Sequence, residues 1–134
     1  MLRKLTTKRK RAGFTLVEIM IVVAIIALLA AIAVPGFLRA RKRSQASKIL
    51  NDLRLISSAM DQYAIEANKK SADPIDVVDW TKYIKKDTNL FVTGADLFGA
   101  AYGPQTVDSL PHVDAGTRDA LSDVTDAAFW SPYN

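Results

Sequence analysis

Cysteine is missing from this chain altogether, and histidine occurs once, as His112, among 134 residues. Without cysteine there is no disulfide framework, no thiolate zinc site and no cysteine nucleophile. The absence does not fix a compartment, because an exported protein need not carry disulfides. A single histidine between Pro111 and Val113 makes neither a metal centre nor a general base, and reads as a loop residue. The stretch Gly94-Ala95-Asp96-Leu97-Phe98-Gly99 lacks the Lys-Ser/Thr pair of a phosphate loop, so it signals no nucleotide site. Internal repeats and low-complexity segments are also absent. No residue set supports catalysis, and an enzyme is not expected. With 49% apolar and 24% charged residues, the composition excludes a disordered chain. The length suits one domain.

Acidic side chains are missing from residues 1–13, which hold Arg3, Lys4, Lys8, Arg9, Lys10 and Arg11 inside a formal net charge of +4. The remainder carries 12 basic against 14 acidic residues, and from Ala72 onward Lys82, Lys85, Lys86 and Arg118 face ten Asp. A basic tip on a slightly acidic body is not the spread positive face of a nucleic-acid binder, and no nucleic-acid partner is expected.

Phe14 to Val34 form a run of 21 residues whose one ionisable group is Glu18. As a helix the run spans roughly 31 Å, the thickness of a bilayer's hydrocarbon core. It is apolar all round rather than striped, as a lipid-facing helix is. The basic tip precedes it, and Arg39, Arg41, Lys42 and Arg43 follow. The larger cluster favours a single pass with a cytoplasmic N-terminus and an exported C-terminal part. The second cluster marks the membrane edge, with lipid headgroups, DNA or a neighbour's acidic surface as the other partners to consider.

Pro35 withholds a donor from the carbonyl of Ala31, and Gly36 adds backbone freedom, so a kink or local melting is expected there. Helical periodicity then resumes. Ala46, Ile49, Leu50, Leu53, Ile56, Met60, Tyr63, Ala64 and Ala67 form an apolar stripe, while Lys48, Asn51, Asp52, Arg54, Ser58, Asp61, Gln62 and Glu66 fill the other faces. The pattern predicts one helix from Phe14 to about Asn68, roughly 80 Å long, stopped by Asp73-Pro74. Asp76 is placed to cap a second helix over Val77–Lys85. Leu90–Thr93, Leu97-Phe98, Ala100–Tyr102 and Gln105–Leu110, separated by Gly and Pro, read as a small antiparallel sheet. Thr117–Tyr133 is either a short helix or an irregular wrap. Trp80, Tyr83, Phe91, Phe98, Phe129 and Trp130 read as packing residues. Residues 69–134 make a thin core alone, and the stripe over 46–67 supplies the missing wall.

The junction Lys10-Arg11-Ala12-Gly13-Phe14-Thr15-Leu16-Val17-Glu18 carries the functional signal. An acid near the edge of a membrane span is costly and wants a partner, yet the span offers no Lys, Arg or His. A cut after Gly13 supplies one: the free α-ammonium of Phe14, one helical turn from the carboxylate, in the same chain or across to a neighbour. Gly-Phe-Thr-Leu-Val-Glu behind a short basic leader, followed by a long apolar helix with Pro35, resembles the type IV pilin and type II secretion pseudopilin family. The resemblance is close over residues 1 to about 43.

That resemblance implies an α+β, lollipop-like fold, with one very long N-terminal helix packed on a small antiparallel sheet. It implies a basic leader at 1–13, a transmembrane and assembly helix at 14–35, its amphipathic second half at 36–68 and a small globular region at 69–134. A prepilin peptidase would cut between Gly13 and Phe14 and methylate Phe14. Glu18 would set assembly register by pairing with a neighbour's N-terminus, and Pro35-Gly36 would be the loosening point of the helix. Partners would be further copies of the chain, the peptidase, an inner-membrane assembly platform and minor pilins or pseudopilins. The chain would sit in the bacterial inner membrane, then in a periplasmic pseudopilus or a surface pilus. No cofactor is implied outright. Asp96-Leu97-Phe98-Gly99-Ala100-Ala101-Tyr102 echoes a calcium-binding turn of major pseudopilins, and Asp119, Asp123 and Asp126 (like the trio Asp73, Asp76, Asp79) are spaced for a cation, with solvated carboxylates as the default.

The compact C-terminal zone and missing cysteine lean toward a pseudopilin. Three other readings compete: an ordinary signal peptide cut after Ala33, behind Ala31-Ile32-Ala33; a plain uncleaved signal anchor; and a membrane-tethered ligand-binding or sensor domain that never polymerises.

Overall fold

The computed structural model describes residues 12–134. The basic tip lies outside those residues, apart from Ala12 and Gly13. The chain divides into two compact units, one ending at Gly36 and the other Phe37–Asn134. A single helix, α1 (Leu16–Glu66, 51 residues), contributes to both. Along the first unit every residue from Ala12 to Gly36 is exposed, and α1 is long and apolar enough there to cross a membrane. Helical backbone continues through Pro35 and Gly36. The local melting expected there is therefore absent: a proline removes one hydrogen bond, and the surrounding turns of a long helix keep their own.

The second unit is built on the far half of α1. Ala46, Ile49, Leu53, Ile56 and Met60 are buried, a 3-4-3-4 spacing that keeps one stripe facing inward. Ala59 is buried beside them, Leu50, Tyr63 and Ala64 are half-buried, and Ala67 lies past the helix end and is exposed. The stripe packs against Ile75, Trp80, Ile84, Leu90, Tyr102, Val113, Leu121, Trp130 and Tyr133. Each fully buried Leu or Ile contributes roughly 1.5–3 kcal/mol, so the C-terminal region depends on α1 for its core.

The helix ends earlier than Asp73-Pro74. Asn68 adopts a left-handed conformation at φ 48°. Its N–H donates to Ile65 O at 3.3 Å and the N–H of Lys69 donates to Ala64 O at 2.9 Å. These two bonds are a Schellman stop, with Asn in the position glycine usually takes.

Sheet structure is much smaller than the turn pattern suggests. β1 (Pro74–Ile75) pairs antiparallel with β2 (Gln105–Thr106), and Ala95 and Ala101 form an isolated antiparallel bridge. The fold is α+β, with very little β. Leu90–Thr93 is not a strand but lies in α3 (Asn89–Thr93), because Thr88 caps it by accepting from Phe91 N at 3.2 Å and Gly94 ends it at φ 60°. Leu97-Phe98 is a turn around Asp96, and beyond Thr106 the run to Leu110 turns at Asp108. The helix expected over Val77–Lys85 is shorter: α2 (Val77–Trp80) passes into a 3-10 turn, Thr81–Tyr83. Asp76 stands at its N-cap, with its own N–H donating to Asp79 Oδ2 at 3.2 Å.

The C-terminal segment resolves into two short helices joined by turns. In α4 (Ala115–Ala120) the Asp114 carboxylate accepts from Gly116 N at 2.8 Å and Thr117 N at 3.3 Å. In α5 (Ala127–Trp130) Asp126 accepts from Phe129 N at 2.8 Å. Trp80 and Trp130 are fully buried, Tyr83, Phe91 and Phe129 pack partly buried against the core, and Phe98 stands 48% exposed instead of packing.

Candidate assembly and processing site

Gly13, Phe14 and Thr15 precede the first turn of α1, and Phe14 is 85% exposed. Thr15 Oγ1 accepts from Glu18 N at 3.2 Å, and Glu18 Oε2 accepts from Thr15 N at 2.7 Å and from Thr15 Oγ1–H at 2.9 Å. This reciprocal pattern is a capping box, in which two backbone donors that a helix start leaves open are satisfied by side chains. The carboxylate also sits at the positive end of the helix dipole. Glu18 therefore has hydrogen-bond partners inside its own chain, although the span holds no Lys, Arg or His. The signal was available in Thr15-x-x-Glu18. Glu18 forms no ion pair among the described residues.

Among the described residues nothing requires glycine at position 13: a Cβ placed on Gly13 would meet none of their atoms within 4 Å, and the same holds at Gly36.

The acidic candidates of the second unit are dispersed among structural tasks. Asp96, 4% exposed, accepts from Phe98 N at 2.8 Å and Ala100 N at 2.9 Å, and its other oxygen accepts from the Thr117 hydroxyl. Asp123 pairs with Lys42 at 2.9 and 3.0 Å. Asp126 caps α5, Asp73 accepts from Lys70 N, and Asp119 is exposed. Among the described residues no three His, Cys, Asp or Glu side chains converge on a point that could hold a metal ion. His112 lies exposed in a loop.

Asp52, which periodicity sets off the apolar stripe, is nonetheless 9% exposed, and burial pushes its carboxyl above the ordinary range while Lys48 pulls it back. Burial likewise pushes the Tyr102 hydroxyl up, with Asp52 and Asp96 adding to the effect. The Lys42 ammonium beside Asp123 acts the other way and holds that carboxyl below its usual range.

The family model described as the prokaryotic N-terminal methylation motif matches residues 8–34. The chain is 32% identical over 62 residues to a type II secretion system core protein G of Aeromonas hydrophila, covering 46% of this chain and 43% of that protein. It is 42% identical over 62 residues to the type IV major pilin protein PilA of Myxococcus xanthus, covering 46% and 28%. It is 40% identical over 75 residues to the type IV major fimbrial protein FimA of Dichelobacter nodosus, covering 56% and 45%. The match thus spans less than half the length of each of these relatives. No solved structure matches the chain significantly. Over the motif and the stretch that follows it, the chain is thus similar to a type II secretion core protein, a type IV pilin and a type IV fimbrial protein.

Proposed function

We propose that this chain is a filament subunit of the pilus or pseudopilus type, made as a precursor, cut between Gly13 and Phe14, methylated on Phe14 and polymerised through α1. The observation that carries the proposal is the Thr15–Glu18 capping box at the mouth of α1, whose residues up to Gly36 are largely apolar and all exposed. Such a helix is stable when surrounded by lipid or by copies of itself.

The residues divide the work. Gly13 serves the peptidase, since no atom of the described residues comes within 4 Å of where its side chain would start. Glu18 engages Thr15 through one carboxylate oxygen, Oε2, which lowers the cost of holding an acid at the membrane edge before assembly. Oε1 is left to accept a neighbour's Phe14 ammonium. A subunit docked out of register leaves that ammonium buried without an acid, which penalises the wrong stagger. Partners in this scheme are other copies of the chain, the peptidase, an inner-membrane assembly platform and minor subunits, with the N-terminus cytoplasmic before assembly. Pro35 and Gly36 are where α1 would loosen inside a filament.

The intact mass and N-terminal sequence of the chain recovered from its native membrane test the processing step. Phe14 as first residue, bearing one methyl group, is the expected result; Val34 as first residue overturns it in favour of an ordinary secreted domain. Glu18→Ala is expected to leave processing intact and to abolish most filament yield. Wild-type filament yield from that variant would sink the register argument, and a stable monomer after cleavage of the wild-type chain would favour the tethered sensor.

A further inference from the structure

We propose that the side of α1 bearing Arg39 and Arg43, together with the turns that join α4 to α5, forms a binding site for the phosphate of an anionic phospholipid. The inference rests on the membrane reading of the apolar run.

Arg39 and Arg43 stand at i and i+4, so one face of α1 presents both guanidiniums. Both line a cavity of about 680 Å³ shared with Ser122, Asp123, Thr125 and Asp126. A like-charged pair at this spacing destabilises a helix, and neither arginine has an ion-pair partner among the described residues. The acids in the same cavity are already engaged. Lys42 holds Asp123, on which the more distant Arg39 also acts, and Asp126 holds the N–H of Phe129. The hydroxyls are engaged as well, Ser122 donating to Asp119 O at 2.7 Å and Thr125 to Leu121 O at 2.9 Å. The donors left for a ligand are two guanidiniums, which suit a phosphate that can take paired N–H bonds. An anion between them also relieves their mutual repulsion.

Sequence position names the source of that phosphate. Arg39 and Arg43 come five and nine residues after Val34, roughly 8 and 14 Å along a helix. Long side chains on a helix lean toward its N-terminus, here toward the apolar run, and arginine readily extends its head group to the interface. The headgroup layer occupies the first several ångströms beyond the hydrocarbon. A phosphodiester fixed in the bilayer is therefore within reach.

The test uses the full chain reconstituted in vesicles of equimolar phosphatidylglycerol and phosphatidylcholine, with lipids retained on release counted by native mass spectrometry. Retained phosphatidylglycerol is expected in excess. Arg39→Gln and Arg43→Gln should each lower that excess about fivefold, while Arg41→Gln, an equal loss of charge outside the cavity, should leave it nearly unchanged. Equal retention of the two lipids, or an equal loss from Arg41→Gln, would overturn the site. Displacement of the lipid by millimolar inorganic phosphate would also overturn it, assigning the pocket to free phosphate. Should the chain fail to float with the vesicles at all, the membrane reading falls first, and the proposal with it.

Discussion

Thr15 and Glu18 cap each other across the first turn of α1: the Thr15 hydroxyl takes the N–H of Glu18, and the Glu18 carboxylate takes both the N–H and the O–H of Thr15. An acid in an apolar run looks like a defect until its partner is seen three residues away. The same carboxylate that starts the helix is the one proposed to fix the stagger between subunits. In that proposal a neighbour's ammonium would join Thr15 at an acid already oriented by the capping box.

Thr15→Ala should weaken the start of α1 by about 1 kcal/mol, the usual worth of an N-cap hydroxyl. Amide hydrogen exchange of the full chain in detergent micelles checks it. Faster exchange confined to the first turn, Leu16 to Ile19, is expected, with the far half of α1 unchanged.

Asn68 holds the left-handed residue that stops α1. Asn68→Gly should stabilise the second unit slightly or leave it unchanged, whereas Asn68→Ala should cost about 1 kcal/mol, because alanine resists positive φ. Chemical denaturation of the full chain in micelles, followed by Trp80 and Trp130 fluorescence, measures both. Equal stability of the two variants would contradict the assignment of Asn68 as the stop.

Gly94 combines φ 60° with a close approach to Val77, whose Cγ1 a new Cβ would strike. Gly94→Ala should lose roughly 2–4 kcal/mol from strain and overlap together. Adding Val77→Ala should recover the overlap part and leave the backbone penalty. The double-mutant cycle on the same denaturation curve separates the two.

Asp123 and Asp52 should show opposite pH dependences. The Asp123 carboxyl is held low by Lys42, so its contribution is present above the ordinary Asp value of about 4 and disappears as pH falls through the lower folded value. The melting temperature of Asp123→Asn should therefore lie below wild type at pH 7 and converge with it in acid, with the gap narrowed by salt. Asp52 is raised by burial, so its ionisation opposes folding once pH climbs through the folded value. Asp52→Asn should melt above wild type at pH 7, and that advantage should vanish below about pH 4. Melting curves from pH 3 to 8 read both.

Local chemistry accounts for what the sequence made legible. An unbroken apolar run declares its helix, because no tertiary partner is needed to satisfy it. The stripe from Ala46 to Met60 declares its buried face by spacing alone. Gly13, Phe14 and Glu18 stood out because a charge in an apolar run has few explanations, and the motif match over residues 8–34 falls on them.

Tertiary structure decided the rest. Leu90–Thr93 is apolar enough for strand or helix, and Thr88 and Gly94 at its two ends made it a helix. The Asp-rich C-terminal region resembled a scatter of solvated or cation-binding carboxylates. Folding commits Asp96, Asp114 and Asp126 to backbone N–H groups and Asp123 to Lys42, an outcome that depends on turns no periodicity encodes. Asp52 shows the limit most plainly: its spacing puts it beside the stripe, and only the packing of the C-terminal region over α1 decides that it is buried. The sequence by itself determined the long helix, its apolar half and its chemical junction, because those follow from neighbours within one turn. The tertiary structure alone decided that Asp52 is buried, that Asp123 meets Lys42 and how little sheet there is, because those depend on contacts between residues far apart in the chain.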